Sequence, residues 1–165
     1  LSLAACGSSD TARNQTVNQA QTVNDVLNAA GDASAATEED PERAAELAKV
    51  LPGKYDVDLT QMNSTMVYTE VLQMMQDPDS FLGKTVKMNG AMAVYEGESR
   101  NYYACFIADA TACCSQGIEF VWKGDHSYPD DYPEPGTEIV VTGTFDTYTE
   151  DDIVYCQLLD AELAF

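Results

Sequence analysis

From residue 84 onward, apolar residues recur at every second position in run after run, and two of those runs carry a glycine inside the apolar set. In 84–95, Val86, Met88, Met92 and Val94 share one parity with Gly90 between them. In 137–148, Ile139, Val141 and Phe145 flank Gly143 in the same way. A period of two marks a strand with one buried face. A glycine inside that buried set removes the side chain where the strand must bend or let another backbone pass close by. A sheet that curls shut needs such corners. Three further runs complete the pattern: 102–108, apolar or aromatic at both parities; 117–123, with Ile118, Phe120 and Trp122 aligned; and 153–159, with Val154, Cys156 and Leu158 aligned. Lys87 and Asn89 fall on the outward parity of the first run.

Ahead of the strands the punctuation is helical. In 40–51, Asp40 suits the cap, Pro41 suits the first helical position, and acidic residues sit at the positive end of the dipole. Pro52-Gly53 then stops the helix. Residues 54–60 alternate like a short strand. In 63–76, Ser64 reads as the capping residue, and Val67, Val71, Met74 and Met75 share a helical face. Methionine at that spacing reads as core filler ahead of a soft-metal stripe.

Five short strands preceded by one or two short helices, with glycines inside the first and fourth strands, describe a mainly β fold: a five-stranded Greek-key barrel of the OB type. A β-sandwich is the rival. Residues 81–90 and 135–143 resemble the first and fourth strands of bacterial OB-fold modules, with the patterns Gly-Lys-x-Val-x-x-x-Gly and Gly-x-x-Val-x-Val-x-Gly. The resemblance spans roughly residues 66–163 and implies a third and a fifth strand side by side and parallel. The helix such modules carry between their third and fourth strands is replaced by 124–136, which is too rich in proline for a helix.

The first residues supply an address. Leu3-Ala4-Ala5-Cys6 resembles the bacterial lipobox, in which small residues precede the cysteine that carries lipid. The resemblance implies a signal-peptide remnant over 1–5, a lipid on Cys6 and an extracytoplasmic protein anchored to the cell membrane. Residues 6–38 are dominated by Asn, Gln, Ser, Thr, Ala and Asp, a composition expected to stay disordered as a tether. A helix and a short strand over 39–62 lead into the domain at 63–165. No apolar run approaches the roughly 18 residues that span a bilayer.

Charge narrows the partners. Eight basic residues stand against 28 acidic ones, a formal net charge of −20. Nucleic-acid binding draws most of its affinity from Lys and Arg on phosphates, so a nucleic-acid partner is excluded. Anionic headgroups are disfavoured for the same reason, which leaves the lipid as the means of reaching a membrane.

Four cysteines remain in the domain: Cys105, Cys113, Cys114 and Cys156. In the barrel topology all four gather at one end. One reading is structural, as disulfides or buried thiols in an oxidising compartment. A second is a zinc site of thiolates, with His126 as a further ligand. A third is thiol redox chemistry, which the acidic surroundings oppose by raising thiol pKa values. Cys113-Cys114, ahead of Gly117-Ile-x-Phe-x-Trp122, is similar to a segment of uncharacterised bacterial OB-like proteins associated with permeases and suspected of zinc handling. The resemblance implies zinc. Where that family tends to carry an aspartate, this chain has Ser115-Gln116-Gly117.

Tyr102, Tyr103 and Trp122, with Tyr128, Tyr132 and Tyr148, compose a candidate aromatic surface for a small molecule, a glycan or a protein. His126, the single histidine, lies in the acidic proline-rich loop and reads as a solvated residue beside that surface. Asp130-Asp131 and 150–152 read as solvated turns, their spacing unlike a calcium loop. No nucleophile–base–orienter arrangement, phosphate loop or zinc-protease motif appears. The expectation is a non-catalytic binding module with an unassigned ligand; the alternative is a zinc-handling protein using Cys105, Cys113, Cys114 and Cys156.

Overall fold

Gly90 marks the place where one strand changes partners. In the computed structural model, which describes residues 41–97, 99–108 and 115–165, the chain begins with α1 (Pro41–Lys49), β1 (Val57–Asp58) and α2 (Ser64–Gln76). Five longer strands follow: β2 (Thr85–Glu96), β3 (Asn101–Ala108), β4 (Ser115–Trp122), β5 (Glu138–Glu150) and β6 (Ile153–Ala164). The first half of β2 pairs antiparallel with β5, from Thr85↔Thr144 to Ala91↔Glu138. Its second half pairs with β3, from Ala91↔Phe106 to Glu96↔Asn101. The hand-over brings the backbones so close that a Cβ on Gly90 would lie 2.2 Å from the Phe106 carbonyl oxygen and 2.9 Å from Cys105 Sγ. No other residue type fits there.

The fold is mainly β: a six-stranded mixed sheet in the order β1-β2-β3-β4-β6-β5, with two α-helices, and β2–β5 pairing joins the ends of that order into a ring. All six strands belong to one sheet, in contrast to the two separate sheets of a sandwich. β4 and β6 run parallel, as expected. The inward parity fills the ring: Val86, Met88, Met92, Ile118, Phe120, Ile139, Val141, Phe145 and Leu158 are all buried. Gly143 is the second corner, where a Cβ would meet Leu158 Cβ and Leu159 O at 2.9 Å.

α2 covers one end of the ring. Val71 and Met74 are fully buried, and Val67 and Met75 pack beside them. Its cap is Asn63, whose side chain accepts from the Met66 N–H, while Ser64, the expected cap, is the first helical residue. Segment 54–60 is strand only at Val57–Asp58; the Asp58 carboxylate then accepts from the Thr60 N–H and turns the chain into a short 3-10 helix. α1 begins at Pro41 as expected, and the Asp40 cap lies outside the described residues. Segment 124–136 is a loop, as its prolines demand. Among the described residues no helix is long and apolar enough to cross a membrane.

Two strand residues depart from their parity. Lys87 points outward as expected but is only 1% exposed. α1 and the following turn lie over it, and its Nζ donates to the carbonyls of Leu47 at 2.8 Å and Val50 at 2.6 Å. A buried ammonium is tolerated because it bonds two carbonyls at the end of the helix, the Leu47 one shared with the Val50 N–H. The Tyr55 ring lies 5.7 Å from the same Nζ. Val154, expected inside, is 53% exposed. The β5–β6 hairpin outruns its neighbour, since β6 first pairs with β4 at Gln157 and the tip has no core beneath it.

Gly90→Ala is expected to lower the unfolding free energy by about 2–3 kcal/mol, as overpacking against fixed backbone does, measured by denaturant titration. Lys87→Met is expected to speed amide exchange in α1 by about ten-fold or more, the effect of losing hydrogen bonds worth about 1.4 kcal/mol, with the ring strands staying protected.

Candidate functional site

The β3–β4 ladder runs from Ala108↔Ser115 to Ala104↔Glu119 and stops there, although both strands continue. Residues 101–103 of β3 stay bonded to β2. The far end of β4 stays with β6, through an irregularity between Phe120 and Trp122. The two strands are thus drawn to different neighbours, and a cleft of about 160 Å³ opens between them. Because it cuts through the sheet, it collects side chains from both parities. Tyr103, Phe120 and Trp122 come from the inner set, and Tyr102, Glu119 and Gln157 from the outer set.

The loop after β4 builds the apolar wall. Tyr132 stacks on Tyr103, with centroids 4.0 Å apart and planes 19° apart, and meets Trp122 edge-on at 5.1 Å. His126 lies flat on Trp122 at 3.7 Å, and its Nε2 is 3.0 Å from the Lys123 carbonyl. Tyr128 joins through Tyr103 and Tyr132 at 5.9 and 6.0 Å. Of the residues singled out in the sequence, Tyr103, Trp122 and His126 thus fall into one ring cluster with Tyr128 and Tyr132, whereas the Tyr102 ring lies apart, against Tyr95; His126 is exposed as expected and rests on Trp122.

The polar wall is formed by Arg100, Asn101, Glu119 and Gln157, and the β5–β6 tip braces it from outside the cleft. Tyr148 donates to Glu119 Oε2 at 2.6 Å, and Tyr102 donates to both Glu150 oxygens at 2.8 and 2.9 Å. The Arg100 guanidinium lies over the Tyr102 ring at 4.5 Å and the Tyr148 ring at 5.2 Å. Its hydrogen bond with Tyr102 and the nearby Glu150 raise its pKa further. Asp151 and Asp152 form the turn with φ of 50° and 62°, the left-handed geometry of a tight hairpin. Asp131 accepts from the Ser127 N–H at 2.7 Å, which gives that acid a loop-closing role.

Sequence reasoning missed Arg100, Glu119 and Gln157. Glu119 sits at an outward strand parity, which normally means solvent, yet it is 6% exposed. Only the hairpin folding back over β4 buries it, and no local signal announces that. The alternation of Ile118 and Phe120 around Glu119 was visible, but not the end of the ladder beside it.

The thiols separate. Cys105 pairs with Ile118, and Cys156 precedes Gln157, the partner of Glu119, so the fully buried Ile118 stands between them. Two strand spacings of roughly 4.8 Å exceed the reach of a disulfide, and no disulfide joins the pair. The expected gathering at one end is corrected to this extent, because Cys105 lies level with mid-β4 rather than its start. Burial raises the Cys105 thiol pKa and so opposes the thiolate that zinc requires. Among the described residues no group of three His, Cys, Asp or Glu side chains could hold a metal ion. Cys113, Cys114 and the lipobox Cys6 lie outside the described residues.

No protein-family model matches the chain, and no curated protein matches it either.

Burial, then the adjacent Tyr103 and Asp131, push the Tyr132 hydroxyl up from 10.0 to about 12. The unfolded chain releases that proton first, so the contribution to stability is complete below about pH 10 and is lost as pH rises toward about 12. Unfolding titrations across that range are expected to show the decline. Tyr132→Phe flattens it, leaving the part due to Tyr55 and Cys105, whose pKa values burial also raises.

Proposed function

We propose that this chain is a lipid-anchored extracytoplasmic protein whose ring of strands is an OB-like Greek-key barrel, and that it binds a ligand in the β3–β4 cleft without transforming it. The strand order supports the barrel. Discounting β1, the first strand bonds the second and fourth, the third lies parallel to the fifth, and a helix covers one end. In such barrels the second and third strands and the loops at their end form the binding face. Here those elements are β3, β4, the turn before Arg100 and the β5–β6 tip, and the cleft lies among them.

The observation that carries the reading is the cleft itself. An apolar wall of rings faces a polar wall of amide, guanidinium and carboxylate, the make-up of a recognition site. Its buried carboxylate, Glu119, is engaged by the Tyr148 hydroxyl, which suits positioning better than proton transfer. Membrane attachment through Cys6 rests on the lipobox resemblance, and with a net charge of −20 the lipid accounts for residence at an anionic bilayer.

Trp122 is the sole tryptophan, so its emission reports on the cleft alone. Titration with a panel of low-mass cations, neutral sugars and short peptides is expected to give a saturable shift with at least one class; silence from all of them sinks the binding reading. In a bacterial host, the wild-type chain is expected to partition into detergent with the added mass of a diacylglyceryl group. Cys6→Ser should remain aqueous and unmodified, and an unmodified wild type sinks the anchor.

A further inference from the structure

Building on the cleft reading above, we infer that the ligand is an amphipathic organic cation, an ammonium or guanidinium on a short aliphatic stem. Three independent observations lead there.

The first is charge. The chain carries a net −20, and the loop that delivers Tyr132 to the cleft adds Asp125, Asp130, Asp131 and Glu134 beside it. A cleft with low-dielectric walls focuses such a field and concentrates cations at its mouth. Anions are turned away.

The second is the polar wall. Glu119 is nearly inaccessible at 6% exposure and lines the cleft beside the amides of Asn101 and Gln157. Glu119 already accepts from Tyr148, but a carboxylate takes several such bonds, and with the amide carbonyls it complements a group that only donates. Arg100 already shows how this end of the molecule treats a guanidinium, lying over two tyrosine rings. It stands at the rim and is exposed, so it borders the cleft without filling it.

The third is the state of the rings. Tyr103 is stacked by Tyr132 and Trp122 by His126, so these rings already have stacking partners within the protein. A flat sugar needs an open ring face, whereas a methylene stem needs only an apolar wall. Val121, 48% exposed at the mouth, extends that wall outward. A space of about 160 Å³ accepts one such group, free or carried on a side chain.

The test is titration of the full chain in detergent, read by Trp122 emission. Butylguanidine stands for a free cation, an arginine-containing peptide for a cation carried by a protein, and butylurea, the uncharged isostere of butylguanidine, and glucose for neutral ligands. The expected result is saturable binding of a cation, weakening as salt screens the field. Glu119→Gln should raise the half-saturation point by about ten-fold or more, and Val121→Lys, at an exposed position the fold does not need, should do the same. Preference for butylguanidine or for the peptide identifies the source. Equal binding of butylurea, or no response to either variant in a protein that melts normally, overturns the cation while leaving a cleft that binds. If glucose alone binds, the cation is likewise overturned. Silence from every probe removes the inference and the cleft reading together.

Discussion

The passage of β2 across the carbonyl of Phe106 is the constraint on which the remaining architecture depends. One strand must serve β5 with its first half and β3 with its second, and it can do so only where the backbones approach without a side chain between them. Closure of the ring follows from that crossing. So does the inward parity of Met88 and Met92 on either side of it, and through β3 the position of the cleft. A glycine inside a strand ordinarily weakens it. Here the weakness is offset by the closure it permits, in a ring left open only along the stretch where the β3–β4 ladder ends.

Much of this could be read from residue order. The parity of Val86, Met88, Ile118, Phe120, Ile139 and Val141 identified the core, and the two mid-strand glycines identified the corners, because alternation and missing side chains are local properties. What covers an outward residue is not local. Lys87 reads as solvated until α1 is laid over it, and Glu119 reads the same until the β5–β6 hairpin folds back. The cysteines illustrate a third limit. The parallel neighbours β4 and β6 were anticipated correctly, but β4 lies between the strands that carry Cys105 and Cys156, and the register sets Ile118 in line with both, so those two thiols stay two strand spacings apart.

The two walls of the cleft differ in how they are held. The apolar wall is built by the loop after β4, through ring contacts from Tyr132, Tyr128 and His126 that also close that end of the core. The polar wall hangs on hydroxyl-to-carboxylate bonds at a hairpin tip that lies beyond the core. The apolar burial behind ring packing is non-directional and tolerates small shifts, whereas charge-assisted bonds fix a geometry. One wall is therefore suited to accommodate and the other to discriminate.

The attachment of α1 has a mechanical corollary. Its first turns are fastened by the Arg43–Glu138 ion pair at the surface, and its last turn by the buried Lys87 on the Leu47 and Val50 carbonyls. Tension arriving from the chain ahead of Pro41 meets the solvent-screened fastening first and the dry one second. The helix would then yield from its leading end, passing load to the ring first through Glu138 on β5 and then through Lys87 on β2.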